Sequence, residues 1–291
     1  MKTFYKKEYC RKCGKAFDPA KGICPHCGTE SISFEQVRPF SHMSPMGWGK
    51  ELALFLTGWL GFQVIGLILS YIILSTTKSA YESAGLSGAS LLAAMKAFQG
   101  SVAYAGAVDF SLYVVLFCLM LALLDRDLFR LTAKFKDPKT YYGILCGVGV
   151  MLVSALYGMI ISASGLSNTN ANQNIINELV AQSPLLSVLI FGLIGPFCEE
   201  LTYRVGLYGF LKRFNVYVAY VLVALIFGFI HFDWDNITSP VEWAMLPDYM
   251  ISGFLFALIY DKLGFGASYL AHATNNVVGL VEAIIVGYAN K

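Results

Sequence analysis

The sequence predicts an all-α fold, a polytopic bundle of about seven transmembrane helices behind a small N-terminal zinc ribbon. The first observation is composition: of 291 residues, 56% are hydrophobic and only 14% are charged, whereas soluble domains carry about 25% charged residues. The mean hydropathy is +0.59. The second observation is a series of long apolar runs, and the third is a group of four cysteines near the N-terminus.

The N-terminal cysteines divide the chain into three parts. Residues 1–30 are polar and hold two Cys-x-x-Cys-Gly knuckles, residues 31–50 are a linker rich in Pro and Gly, and residues 51–288 form the helical bundle. The knuckle cysteines are Cys10, Cys13, Cys24 and Cys27.

Two thiolate pairs at this spacing are typical of a tetrahedral structural zinc site. A unit of about 30 residues buries too little core to fold without such a metal. Disulfides are the alternative, and a cytoplasmic location disfavours them. We expect the ribbon to dock a protein partner or to tether the chain, because it lacks the dense basic stripe of a nucleic-acid-binding surface.

The apolar runs are the predicted spans, since a helix needs about 20 apolar residues to cross a bilayer. They cover 51–75, 103–124, 141–163, 184–211, 215–232, 247–263 and 265–288. The run 247–263 is short. Residues 140–288 include the last five runs and carry the motifs described below.

Loop charges predict the orientation of the bundle. Lys and Arg are abundant at 126–139 and at 212–213, and are absent from 165–183 and 233–246. Basic loops remain in the cytoplasm, and residues 1–50 contain no apolar segment of a signal peptide. We therefore expect a multi-pass protein of the cell membrane, the bacterial plasma membrane, with a cytoplasmic N-terminus. Seven spans would leave the C-terminus outside.

Three pairs of residues interrupt the apolar runs, each pair four residues apart. Charged and imidazole side chains are costly in hydrocarbon, so such residues indicate a functional site. The residues are Glu200 with Arg204, preceded by Glu199, then Phe227 with His231, and His272 with Asn276.

Helical geometry suggests a role for each of them. Glu200 and Arg204 have the favourable i, i+4 order for an ion pair, which leaves the Glu199 carboxylate free to act as a general base towards water. Glu199 and His231 each lie roughly 21 Å from the basic turn at 212–213, so an antiparallel hairpin brings them to one depth. Phe227 packs against His231 or shapes the cavity.

His272 and Asn276 share a helix face and suggest an oxyanion hole. However, His272 lies only about 10 Å beyond Phe265 along its helix. Either the turn at 264–266 is sunk into the bundle, or the helix bounds differ from those predicted.

In order, these motifs resemble those of the CPBP family of intramembrane proteases, which includes type II CAAX prenyl endopeptidases, Abi proteins and bacteriocin-immunity proteins. The resemblance implies that Glu199 is the catalytic base, that His231 helps it to activate water, and that His272 and Asn276 stabilise the oxyanion. It makes Glu200 and Arg204 mainly structural, although Glu200 remains in the candidate catalytic set. The chain departs from the family pattern at Val205, where Gly is common, and at Tyr203, where Phe is frequent.

The resemblance implies an endopeptidase that cleaves membrane-anchored, lipidated or prenylated (CAAX-like) substrates, with membrane lipid as its surroundings. The alternative is a non-catalytic immunity or scaffold protein that binds a peptide partner. A transporter is disfavoured because matching pairs of broken helices are absent. We favour metal-independent chemistry, since there is no His-Glu-x-x-His signature. The alternative is a divalent metal, with zinc held by the two histidines, a glutamate and the asparagine.

Overall fold

The computed structural model describes residues 8–9, 15–17, 23–28, 46–125 and 127–289. In its N-terminal part, strands β1 (Glu8–Tyr9) and β2 (Ala16–Phe17) pair antiparallel. They flank the first cysteine knuckle in sequence, and its Cys10 and Cys13 lie outside the described residues.

The second knuckle forms a tight turn. The Gly28 N–H donates to the Cys24 carbonyl oxygen at 3.0 Å, and Gly28 has a φ of +69°. This left-handed conformation favours glycine, which explains the Gly that follows the Cys pair. Cys24 is buried. The turn fits a zinc knuckle, and the complete ribbon stays a prediction.

The rest of the described chain is helical. Its ten helices are α1 (Trp48–Ser83), α2 (Gly88–Gln99), α3 (Val102–Leu124), α4 (Asp127–Thr132), α5 (Tyr142–Ala163), α6 (Ala171–Gln182), α7 (Pro184–Leu211), α8 (Val216–Phe229), α9 (Pro240–Leu263) and α10 (Phe265–Ala289). Short 3₁₀ turns at Ala133–Lys136, Pro138–Tyr141 and Trp234–Asn236 join some of them.

Six of these helices are long and apolar enough to cross a membrane: α1, α3, α5 with its preceding turn, α7, α9 and α10. The predicted class, a polytopic helical membrane bundle, is thereby confirmed. The fifth predicted run differs from a full span, because α8 has 14 residues and is only about 21 Å long. The short run 247–263 belongs to a longer helix, since α9 begins at Pro240 and contains Pro247.

Helix α7 was expected to be a regular α-helix, and it is not. Its segments Val188–Ile194 and Glu200–Tyr208 are π-helical, and a short α-helical stretch, Gly195–Glu199, separates them. Every residue of Glu200–Tyr208 is buried. Pro196 lies within the α-helical stretch, and a proline cannot donate the backbone hydrogen bond of a regular helix. The widened turns place Glu199 and Glu200 at a junction of two helix types.

Close packing around α10 brings the last motif into the bundle. A Cβ atom at Gly143 or Gly147 would lie 2.2 or 2.4 Å from the carbonyl oxygens of Ala267 or Ala271, so only glycine permits this approach of α5 to α10. The turn between α9 and α10 has Gly264 at φ +88°, and Phe265 after it is 3% exposed. The start of α10 is therefore packed inside the protein, which agrees with the first of the two alternatives given above for His272.

Candidate active site

Glu200 lies at the centre of a buried polar cluster and is 0% exposed. Its Oε1 is 3.3 Å from Arg204 Nη1 and accepts a hydrogen bond from His272 Nδ1 at 2.9 Å. Its Oε2 accepts a hydrogen bond from the Ser268 hydroxyl. Both carboxylate oxygens are thus engaged, and the carboxylate compensates the charge of Arg204 inside the protein.

Arg204 contacts two aromatic rings as well as backbone and carboxylate oxygens. Its guanidinium carbon lies 4.4 Å from the centroid of Phe227 and 5.3 Å from that of Phe256. Nη2 lies 3.5 Å from the Gly253 carbonyl oxygen, whereas Nε and Nη1 have no hydrogen-bond partner. The contact of Nη1 with Glu200 is therefore an ion pair without hydrogen-bond geometry, supplemented by cation–π attraction.

His272 lies between two carboxylates. Its Nδ1 faces Glu200, and its Nε2 is 3.8 Å from Glu199 Oε2. The ring stacks on Phe256, with centroids 4.4 Å apart and planes at 18°. A carboxylate only accepts hydrogen bonds, so Nδ1 carries a proton. Stacking on Phe256 fixes the plane of the imidazole ring, and its two nitrogens point towards different glutamates.

Glu199 is the less satisfied of the two glutamates. The Tyr113 hydroxyl donates to its Oε1 at 3.2 Å, while its Oε2 is buried and has no hydrogen-bond partner. The 3.8 Å separation from His272 Nε2 exceeds a hydrogen bond. Glu199 thus has one fixed oxygen and one available oxygen.

His231 lies in the turn after α8. Its Nδ1 is 2.8 Å from the Phe227 carbonyl oxygen, which only accepts, so Nδ1 donates and Nε2 of the neutral ring is left as an acceptor. The Phe227 ring packs against it with centroids 4.9 Å apart. The same Phe227 ring also packs edge-on against His272, with centroids 5.9 Å apart. The structure thus brings the residues of all three motifs together around Arg204 and Phe227.

Asn276 is one turn beyond His272, and its amide hydrogen bonds to groups other than the two glutamates. Its Nδ2 donates to the Phe191 carbonyl oxygen at 3.0 Å, and its Oδ1 accepts from Asn275 Nδ2 at 3.2 Å. The amide nitrogen has a second proton. The role of Asn276 in an oxyanion hole stays a prediction.

Several residues of the site escaped the sequence analysis. Tyr113 lies in α3, far from the motifs in sequence, and nothing in its surroundings marks it. Ser268 had a usable signal, because it is four residues before His272 and therefore on the same helix face. Tyr249 stacks on His231 with centroids 4.5 Å apart and planes at 11°. Its hydroxyl donates a hydrogen bond to Asn170, and the sequence pattern does not predict this contact between distant residues.

The side chains do not fit an active-site metal. No three His, Cys, Asp or Glu side chains are grouped as metal ligands within the part of the chain that the structure describes. His272 Nδ1 and both Glu200 oxygens are used in hydrogen bonds within the cluster. The chemistry derived below therefore uses only the side chains of the chain itself.

Comparison with known proteins relates the segment that carries this site to a known family. Residues 181–278, from the end of α6 into α10, match the family described as type II CAAX prenyl endopeptidase Rce1-like. This segment holds all the motif residues. The protein is thus a multi-pass helical membrane protein, and its residues 181–278 are similar to this family of membrane proteases. The predicted family resemblance is confirmed.

Two curated relatives come from Lactococcus lactis. The UPF0177 protein YvdC is 28% identical over 145 residues, which are 49% of this chain and 53% of the relative. The UPF0177 protein YxdF is 29% identical over 105 residues, 35% of this chain and 54% of the relative. The chain thus spans about half the length of the curated relatives it matches. No solved structure matches the chain.

Proposed function

We propose that this protein is an intramembrane endopeptidase that cleaves membrane-anchored, lipidated or prenylated (CAAX-like) peptides by glutamate- and histidine-activated water. One observation carries the proposal: Glu199 has one oxygen held by Tyr113 and the other buried without a partner, opposite His272. A general base needs such a free acceptor within reach of a water. The family match of residues 181–278 supports the same activity.

The charges and hydrogen bonds of the cluster support one protonation state for each imidazole. Glu199, Glu200 and Arg204 together carry one net negative charge, so an imidazolium at His272 makes the buried cluster neutral. Neutrality lowers the large cost of burying charges. His272 can then donate from Nε2 while Nδ1 donates to Glu200. His231, with its proton on Nδ1, stays neutral and keeps Nε2 as an acceptor.

These states define the hydrolytic step. Water lies between Glu199 Oε2 and His231 Nε2, and its oxygen attacks the carbonyl carbon of the substrate as Glu199 takes a proton. The carbonyl oxygen becomes an oxyanion, which the Nε2–H of His272 stabilises. When the C–N bond breaks, the proton on Glu199 passes to the leaving nitrogen. Asn276 is the second oxyanion donor in this scheme, as the family resemblance implies.

The surroundings of the site favour substrates that lie in the membrane. The cluster is built from α7, α9 and α10, which are candidate spans, and from the end of α8. A peptide that carries a lipid or a transmembrane anchor reaches such a site from the bilayer. We further propose that the protein lies in the bacterial plasma membrane with its N-terminus in the cytoplasm, and that its ribbon contacts a protein partner.

The test compares protein termini, by mass spectrometry, in membranes of cells that carry wild-type or Glu199→Gln protein at equal abundance. Glutamine keeps the shape of the side chain and removes the base. Glu82→Gln, at an exposed position of α1, is the matched control. We expect termini that depend on Glu199 and are unchanged by the control. Identical termini in all three strains would favour the peptide-binding scaffold instead.

A further inference from the structure

A second buried polar cluster lies beside His231. Asn170, in the turn before α6, donates from Nδ2 to the His231 carbonyl oxygen at 3.0 Å and to Glu242 Oε2 at 3.3 Å. The Tyr249 hydroxyl donates to Asn170 Oδ1 at 3.1 Å. Asn170 and Glu242 are each 3% exposed. We refer to Asn170, Glu242 and Tyr249 as the His231 clamp.

Glu242 holds the clamp together. Besides the contact with Asn170, it accepts from the Ala171 backbone N–H at 2.8 Å and from the Asp233 backbone N–H at 3.1 Å. A buried carboxylate that accepts several N–H groups forms strong, charge-assisted hydrogen bonds. Glu242 therefore joins the start of α6, the turn after His231 and the first turn of α9.

The clamp contacts His231 beyond the end of α8, where helical hydrogen bonds no longer fix its position. Helix α8 ends at Phe229, so His231 and Asp233 lie in a loop. Asn170 fixes the carbonyl of His231, Glu242 fixes the N–H of Asp233, and the Tyr249 ring covers one face of the imidazole at 4.5 Å. With Nδ1 bonded to the Phe227 carbonyl, Nε2 is the ring nitrogen that remains available.

We propose that Asn170, Glu242 and Tyr249 are positioning residues, which hold the His231 ring in the orientation and tautomer that leave Nε2 free to accept a hydrogen bond from the attacking water. The assignment of His231 rests on the proposed function. Asn170 precedes the family-matched segment 181–278. The chain outside that segment therefore supplies part of the apparatus that orients an active-site side chain.

Tyr157 provides a matched control for Tyr249. Its hydroxyl donates to the Ala244 carbonyl oxygen at 2.7 Å, so it joins α5 to α9 by one hydrogen bond. It makes no ring contact with His231. A variant at Tyr157 therefore loses a comparable hydrogen bond without releasing the imidazole.

The experiment reads the tautomer of His231 directly by ¹⁵N NMR of the full chain, labelled at histidine, in lipid nanodiscs. The chain has four histidines, and His231→Gln identifies the signal of His231. We expect the wild type and Tyr157→Phe to show the Nδ1–H tautomer. In Tyr249→Leu and Asn170→Ala we expect the ratio of the Nδ1–H tautomer to the Nε2–H tautomer to fall about tenfold, because the ring samples other orientations.

Tyr249→Phe separates packing from the hydrogen bond. It retains the stacked ring and loses only the hydroxyl bond to Asn170, so we expect a smaller fall, about threefold. If Tyr249→Leu does not fold, this variant tests whether Tyr249 positions His231. An unchanged ratio in folded Asn170→Ala and Tyr249→Phe protein would overturn the proposal and leave the clamp a purely structural feature.

Cleavage adds a second readout that depends on the proposed function. We expect Tyr249→Leu to lower kcat by about tenfold with little change in KM, because the clamp orients His231 and leaves peptide binding intact. Absence of cleavage by the wild type would refute the proposed function and leave the NMR result to decide the clamp. Cleavage that requires Glu199 and is unaffected by Tyr249→Leu would refute the clamp alone.

Discussion

Two carboxylate–arginine pairs in this protein, one fully buried and one partly buried, differ in how completely their hydrogen-bonding groups are paired. Glu51 at the start of α1 pairs with Arg213 in the turn after α7, through two hydrogen bonds at 2.8 and 2.9 Å. Arg213 also donates to the Met46 carbonyl oxygen at 2.9 Å. Glu200 and Arg204 lie 3.3 Å apart without hydrogen-bond geometry, and Nε and Nη1 of Arg204 lack a partner, whereas in Arg213 only Nη1 does.

The difference distinguishes an ion pair that joins two helices from an ion pair that is part of the candidate active site. Glu51 and Arg213 join two distant segments through a bidentate fork, the geometry for which arginine is suited. Glu200 divides its oxygens among Arg204, His272 and Ser268, so that it orients the imidazole as well as balancing the guanidinium. Incomplete pairing in a buried cluster costs stability, and function is the evident reason to retain it.

Glu200→Ala is expected to have the largest effect, because it strands the fully buried Arg204. Breaking a buried pair on one side costs about 3–5 kcal/mol. The measurement is thermal unfolding of the purified protein in detergent. The double variant Glu200→Leu, Arg204→Met removes both charges and should regain much of this stability while remaining inactive. A double variant no more stable than Glu200→Ala would contradict this account of the pair.

Glu51→Ala should have a smaller effect, confined to stability. Arg213 is partly exposed, with 12% of its side chain accessible, so its charge can turn towards water. We expect a loss of about 1.5–3 kcal/mol, the range for hydrogen bonds to charged groups. Cleavage per folded molecule should remain normal. Loss of cleavage in folded Glu51→Ala protein would show that the two pairs are not functionally distinct.

The two pairs also show what the sequence could predict. Glu200 and Arg204 are four residues apart, so helical geometry was enough to pair them and to single out Glu199. Glu51 and Arg213 are 162 residues apart, and no local pattern links them. The π-helical turns of α7 escaped because the prediction assumed a regular α-helix, although Pro196 was a usable signal. Tyr113 and the His231 clamp depend on helix packing that periodicity does not reveal.

Tyr113→Phe tests the link between the reactive cluster and α3. The change removes the hydrogen bond to Glu199 Oε1 and preserves the ring packing, so we expect cleavage to fall about tenfold, equivalent to about 1.4 kcal/mol. Stability should change little. Tyr104→Phe is the control, because Tyr104 lies in the same helix and its hydroxyl contacts Ser70. Equal activity of the two variants would remove Tyr113 from the site.

Chelation of zinc should have the smallest effect on cleavage. It compares the candidate site in the helical bundle with the N-terminal cysteines. The described side chains of the site group no three metal ligands, and Glu199 is the proposed base. We expect cleavage by purified protein to survive a zinc chelator at a rate within about twofold of the untreated enzyme. The predicted ribbon should release zinc under the same treatment, because thiolate sites bind it as part of folding. Chelator-sensitive cleavage in a Cys24→Ser, Cys27→Ser variant, whose ribbon site is already disabled, would instead locate a catalytic metal in the bundle.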